Sequence, residues 1–158
     1  MVRVEVARDG ACMFRAVAER VYGTQRVAQA LRVRAVQHMW LHNDKFEPFV
    51  ASFDISWPSY LRNMRDYRCW GGQLELQALS QVLSVNFDIH SLGAGAGAVT
   101  AIDNGFARTV PLWYANGNHY DAVYTRRELA VAAHAQHVTY AIVELALARV
   151  RQRRAAAA

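Results

Sequence analysis

Cys12 is the residue in this chain whose type and place could do covalent chemistry. The apolar alternation Val2, Val4, Val6 stops at Asp9-Gly10, and a helix-like run opens at Cys12. A cysteine where a turn becomes a helix meets unpaired N–H groups and the positive end of the helix dipole. Both favour the thiolate, which is the nucleophile. On this octapeptide alone the plainer reading, a small buried hydrophobe, stays ahead. The partner it needs is a base. His119 follows an Asn116-Gly117-Asn118 turn, and Asp121 lies two residues on. Side chains at i and i+2 of a strand share a face. A carboxylate beside an imidazole fixes its tautomer and stabilises its protonated form, which is what taking a thiol proton requires. Cys12, His119 and Asp121 are therefore the parts of a Cys-His-Asp triad, brought together only by the fold. By spacing alone, a triad and a surface turn histidine with a strand-end aspartate stand level.

The elements that must position these residues are legible in outline. Residues 2–6 have the period of a half-buried strand, and Cys12 to Tyr22 carries Phe14, Val17, Ala18 and Val21 at helical spacing, closed by Gly23. Thr24 caps a second helix expected to run to about Asn43, with Val27, Leu31, Val36, Met39 and Trp40 on one broad face. His38 and His42 stand four apart there, but without a third ligand of fitting spacing no metal site is expected. Phe46 to Phe53 reads as a short helix or turn, Ser56-Trp57-Pro58 as a helix start, and Gln73 to about Val85 as a further helix. Strands are expected around Phe87 to Ile89, Val99 to Ile102, Val110 to Tyr114 and Tyr120 to Tyr124. The last two are joined by the Asn-Gly turn as a hairpin. Gly93 to Gly97 should be a flexible loop, and Glu128 to Arg153 mainly helical, with a strand possible over 138–143. Helices in the first half and strands in the second imply a mixed sheet packed by helices.

The totals narrow the class. With 158 residues, 53% hydrophobic and 20% charged, the chain reads as one globular domain over 1–154, with 155–158 a disordered tail or an expression remnant. No run approaches a membrane span and no secretory signal is visible, so a soluble, cytoplasmic monomer without membrane contact is expected. Two cysteines make no disulfide framework. The net charge of +5 has part of its source in Arg149, Arg151, Arg153 and Arg154. No basic stripe interleaved with stacking aromatics accompanies it, and no nucleic-acid partner is expected.

Three segments in order carry a resemblance. Asp9-Gly10-Ala11-Cys12-Met13-Phe14-Arg15, Trp70-Gly71-Gly72-Gln73-Leu74-Glu75-Leu76-Gln77-Ala78-Leu79 and Asn118-His119-Tyr120-Asp121-Ala122-Val123 resemble the nucleophile block, the Trp-Gly-Gly block and the His-Tyr-Asp/Asn block of the ovarian tumour (OTU) cysteine proteases, most of which are deubiquitinases. The resemblance runs from about Arg3 to Tyr124. It implies an α/β (α+β), papain-related fold with a central, mainly antiparallel sheet flanked by helices, and no cofactor. It makes Cys12 the nucleophile, His119 the base and Asp121 the orienting acid. It also implies an oxyanion hole from the backbone N–H groups of Gly10, Ala11 and Cys12, in a loop held by Asp9. Ala11 stands where the family often has Asn, and Met13 where it often has Leu; the backbone donor survives the first change. Gly10 suits such a loop because glycine tolerates unusual dihedrals.

The resemblance implies ubiquitin or polyubiquitin as partner. Substrates ending in Gly-Gly need a narrow channel, and Trp70, Gly71 and Gly72 could wall it, although Trp70 reads equally as a core anchor and the glycines as an interhelix turn. Glu75 and Gln77 read as helix structure and Cys69 as a packing thiol. The segment 25–53, with Asp44, Glu47 and Asp54, is the expected contact for an apolar patch ringed by basic groups. Three rivals remain: a protease for a ubiquitin-like modifier or a polyprotein junction, a silent ubiquitin-binding module, and a nonspecific nucleic-acid binder. The Arg- and Ala-rich, Lys-poor composition suggests a viral or bacterial effector working in a host cytoplasm.

Overall fold

The structure is a computed structural model, and it describes residues 1–91 and 98–134. The expected Gly93 to Gly97 loop, the end of the 128–153 segment and the tail lie outside the described residues. The chain forms two compact units, Arg3–Val123 and a second made of Met1–Val2 with the residues from Tyr124 onward. In the second unit, residues 126–134 are helical. That helix opens with reciprocal caps. The Thr125 N–H donates to Glu128 Oε2 at 2.6 Å, and the Glu128 N–H donates to Thr125 Oγ1 at 3.1 Å.

The unit Arg3–Val123 carries the expected segments. The strands among the described residues are β1 (Val2–Val4), whose first residue belongs to the other unit, β2 (Asn86–Ser91), β3 (Ala98–Ile102), β4 (Thr109–Ala115) and β5 (His119–Tyr124), whose last residue does too, and the α-helices of this unit are α1 (Cys12–Tyr22), α2 (Ala28–Leu41), α3 (Asn43–Val50), α4 (Trp57–Met64) and α5 (Gln73–Leu83). The sheet order is β1-β5-β4-β2-β3. β2–β3 and β4–β5 are antiparallel and β2–β4 is parallel, so the sheet is mixed. Phe87, Val110 and Leu112 from the sheet are fully buried, as are Phe14, Val17, Leu76 and Leu79 from the helices that cover it. Burial of such side chains contributes roughly 1.5–3 kcal/mol each before entropy is counted. Among the described residues no helix is long and apolar enough to cross a membrane.

Two boundaries differ from the sequence reading. Thr24 does cap, accepting the Arg26 N–H at 3.3 Å, but it opens a 3-10 turn over Gln25–Val27 rather than the long helix. α2 stops at His42 (φ −123°, ψ 43°), close to the expected end near Asn43, but α3 begins at once, at Asn43 rather than Phe46. Trp40 is also misplaced by the broad-face reading: it is 60% exposed. The buried stripe of α2 follows Leu31, Ala35 and Met39 at four-residue steps. Arg32 and Val36 widen that stripe, and Trp40, one further four-residue step beyond them in the last turn of α2, turns past its edge.

The hairpin matches its chemistry. Asn116 (φ 54°) and Gly117 (φ 72°) both occupy the left-handed region that Asn-Gly tolerates. The register pairs Ala115 with His119 and Trp113 with Asp121, which puts His119 at the hairpin end of β5.

Candidate active site

The loop that leads into Cys12 is held by its own hydrogen bonds. The Cys12 N–H donates to the Asp9 carbonyl at 3.1 Å, and the Ala11 N–H donates to Asp9 Oδ1 at 2.9 Å. The same carboxylate is gripped by Arg15, whose NH2 lies 2.8 Å from Oδ2. That hydrogen bond holds the Asp9 carboxyl below its ordinary value of 3.8. Of the three amides expected to line an oxyanion hole, those of Ala11 and Cys12 thus point to Asp9 in the free protein.

Gly10 is required here for a different reason from the one its sequence context suggested. It is not in the positive-φ region. A Cβ on it would sit 2.1 Å from the Arg68 carbonyl oxygen, so close backbone approach, not dihedral freedom, demands glycine.

Arg32, which the sequence reading passed over, holds the loop from behind. It is fully buried on α2 and donates to the carbonyls of Gly10 (2.8 Å), Met64 (3.0 Å) and Tyr67 (3.2 Å). Its guanidinium carbon lies 4.2 Å from the centre of the Phe14 ring. A buried cation is tolerated only where such acceptors meet it. The carbonyl of a trans peptide points opposite to the following N–H. Arg32 on Gly10 O therefore aims the Ala11 N–H away from α2, where Asp9 receives it.

Cys12 is 1% exposed at the first turn of α1. Burial pushes its thiol pKa up, and the nearby Asp9 and Asp121 charges push the same way. Backbone N–H groups of Tyr120 and Met13 hydrogen-bond the sulfur and oppose that shift. The helix-start effect anticipated from sequence is thus outweighed by desolvation, and thiolate formation depends on a neighbouring base. The Tyr120 N–H that acts on the thiol belongs to the start of β5, next to His119.

His119 is 2% exposed and Asp121 fully buried, so neither is a surface residue. His119 Nε2 lies 2.9 Å from Asp121 Oδ1, as the shared strand face requires. Asp121 Oδ1 also accepts the Val6 N–H at 3.0 Å. His119 Nδ1 is buried without a hydrogen-bond partner among the described residues. With Nε2–H directed at the carboxylate, Nδ1 carries the lone pair.

Trp70, Gly71 and Gly72 line a cleft of about 460 Å³ together with Gly117, Asn118 and Tyr120. Trp70 is 49% exposed, which makes it a wall and not a core anchor. The two glycines have different reasons. A Cβ on Gly71 would meet Met13 Cε at 2.7 Å and Phe14 Cε2 at 2.8 Å. A Cβ on Gly72 would meet nothing closer than Glu75 Oε2 at 3.9 Å, so its missing side chain leaves open room.

Glu75 does more than its helix position suggested. It is 1% exposed, accepts the Gly72 N–H at 2.7 Å and accepts the Tyr60 O–H at 2.6 Å. An acid three residues into a helix that follows glycine was the available signal. Cys69 is a half-buried free thiol whose pKa is raised by burial. His38 and His42 stack at 4.2 Å; the first bonds Gln81 and the second the His38 carbonyl.

A second cleft of about 800 Å³ shares Trp70 to Gln73 with the first and is lined further by Phe49, Phe53 and Tyr60. Phe49 and Phe53 are 62% and 56% exposed, and Asp44, Glu47 and Asp54 are exposed on the same segment.

The chain is similar to several known proteins. The human OTU domain-containing protein 4 is 33% identical over 144 residues, covering 90% of this chain, and the chain spans 12% of that protein's length. A protein of Arabidopsis thaliana named ovarian tumor domain-containing deubiquitinating enzyme 7 is 30% identical over 125 residues, covering 79% of this chain and 33% of its own length. The solved OTU domain of OTUD1 superposes with a TM-score of 0.70 at 26% identity, covering 78% of this chain and 85% of that one. The family model described as OTU-like cysteine protease matches residues 7–137. The chain belongs to the OTU-like cysteine protease family.

Proposed function

We propose that this chain is a deubiquitinase, hydrolysing the isopeptide bond after the C-terminal glycine of ubiquitin through Cys12, His119 and Asp121. The observation that carries the reading is His119: buried, bound to Asp121 through Nε2, and with Nδ1 left without a hydrogen-bond partner among the described residues. A relative of similar sequence named a deubiquitinating enzyme supports the substrate class.

In this mechanism His119 Nδ1 takes the Cys12 proton, and Asp121 steadies the resulting imidazolium. The sulfur attacks the carbonyl carbon, and the oxyanion meets the amides of Gly10, Ala11 and Cys12. Each such donor is worth on the order of a hundredfold in rate. For Ala11 and Cys12 this exchanges a bond to Asp9 for one to the oxyanion, so loop adjustment is part of the barrier. His119 then protonates the lysine amine as the C–N bond breaks, leaving a thioester. Water, deprotonated by His119, hydrolyses it. The cleft beside Trp70 takes the Gly-Gly tail, where the open side of Gly72 admits a substrate backbone. The aromatic cleft at Phe49 and Phe53 takes the apolar patch of the ubiquitin body, with Asp44, Glu47 and Asp54 near its basic rim.

The test is labelling by ubiquitin bearing a C-terminal electrophile. Wild type labels and Cys12→Ala does not. A folded wild type that resists the ubiquitin probe, or that reacts only with a ubiquitin-like counterpart, defeats the assignment.

A further inference from the structure

Asp121 has a requirement that His119 does not meet. A carboxylate offers about four acceptor positions over its two oxygens. Oδ1 is occupied by His119 Nε2 and by the Val6 N–H. Oδ2 is buried and accepts no hydrogen bond among the described residues. An ionised oxygen in that position is costly unless a counter-charge stands near it. One does: Arg3 Nε lies 3.4 Å from Oδ2. The side chain of Arg3 is 39% exposed and that of Asp121 not at all, so the cation reaches in from the rim. Its NH2 group meanwhile donates to Glu5 Oε1 at 2.9 Å, which fixes the fork from the outside. Both non-histidine partners of Asp121, the Val6 amide and the Arg3 side chain, thus come from one short stretch of chain at β1.

We propose that Arg3 is a positioning residue of the catalytic group: with Glu5 setting its orientation, it holds the free oxygen of Asp121 so that Oδ1 stays aimed at His119 Nε2. This rests on reading His119 and Asp121 as base and orienting acid. Its physical content is rotational. A carboxylate bound through one oxygen can turn about its Cβ–Cγ bond, and only a partner on the second oxygen stops it. The contact is too long for a good hydrogen bond, so the restraint is that of a charge and tolerates another cation of similar reach. A neutral side chain does not supply it.

The test uses the His119 ring directly, so it does not depend on any substrate. In nitrogen-15 spectra of the whole chain, the His119 Nε2–H resonance is assigned by its loss in His119→Gln. Arg3→Gln is expected to move that resonance most of the way to its position in Asp121→Asn, while Arg3→Lys leaves it near the wild-type position. In turnover of a fluorogenic ubiquitin conjugate, Arg3→Gln should lower kcat three- to tenfold with KM within twofold, and add nothing in the Asp121→Asn background. A His119 resonance unmoved in folded Arg3→Gln overturns the proposal. So does an Arg3→Gln loss of the same size in the Asp121→Asn background, because that loss would belong to strand stability alone. Absence of wild-type turnover on ubiquitin would defeat the substrate assignment and leave the resonance to decide the role of Arg3.

Discussion

Gly10→Ala is the sharpest perturbation the structure offers, because the added atom meets backbone. The new methyl carbon would lie 2.1 Å from the Arg68 carbonyl oxygen, 2.2 Å from its carbon and 2.7 Å from its Cα. Comfortable contact begins near 3.5 Å, so the closest pair is short by about 1.4 Å. No rotamer change relieves this. Either the nucleophile loop or the 66–69 segment must move, and both are tied to Arg32 through Gly10 O and Tyr67 O. Overpacking of this kind costs about 1–3 kcal/mol. At this chain length that lowers the thermal midpoint by roughly 2–12 °C. The larger effect is on chemistry. A displacement near 1 Å at a reacting centre costs on the order of a hundredfold, and the atoms displaced are those that carry Cys12. The assay pairs thermal unfolding with the rate of labelling by the ubiquitin probe. The expected variant is folded at 25 °C and slowed on the order of a hundredfold or more. Gly72→Ala is the matched control, since its Cβ finds open space and its φ of −139° suits any residue. Its thermal midpoint should stay within a degree or two of wild type, and any loss should appear in KM. A Gly10→Ala protein with wild-type midpoint and wild-type labelling would refute the close-approach argument.

Tyr60→Phe strips the buried Glu75 Oε1 of its donor; about 1–3 kcal/mol of stability should be lost in denaturant titration, with KM raised as Gly72 loosens. Asp9→Asn should reshape acid stability. The folded Asp9 pKa lies below its ordinary 3.8, chiefly through Arg15, so its contribution is complete above that value and lost as pH falls through the folded one. Melting curves below about pH 4 should therefore fall less steeply in the variant than in wild type. Phe49→Ala, at a 62% exposed position, should leave stability within about 0.5 kcal/mol and raise KM for ubiquitin conjugates; an unchanged KM would remove that cleft from the proposed contact.

The residues proposed to do chemistry were readable because their types are rare and because His119 and Asp121 are local in spacing. His119 and Asp121 are two apart on a strand, and a strand's period alone puts them on one face. Asn116-Gly117 declared the hairpin by needing left-handed dihedrals. The supports were not readable, for a physical reason. Arg32 looks like a solvated helix residue until its carbonyl partners, 22, 32 and 35 residues away, are in place. Arg3 looks like one end of an exposed strand pair until β1 lies beside β5. The start of α3 at Asn43, directly after α2, had no glycine or proline at that point to announce it. The balance at Cys12 stayed open in the sequence because burial is a property of the fold. A helix start argues for a thiolate, but the loss of water argues more strongly against it.

These hidden contacts join two parts that sequence treated as separate. Gly71 packs where a Cβ would strike Met13 and Phe14, the two residues after Cys12. Arg32 lies over the Phe14 ring and holds Gly10, Met64 and Tyr67 together. Glu75 pins the next residue of the channel, Gly72, to α5 and to Tyr60 on α4. The wall of the substrate cleft and the nucleophile loop are therefore parts of one braced structure. Interiors this closely packed transmit displacement instead of absorbing it. It follows that a defect at Tyr60 or Arg32 should be felt at the Cys12 sulfur as well as in the channel. Substitutions at Phe49 or Phe53, which line the aromatic cleft but make none of these bracing contacts, should alter binding and spare the chemical step.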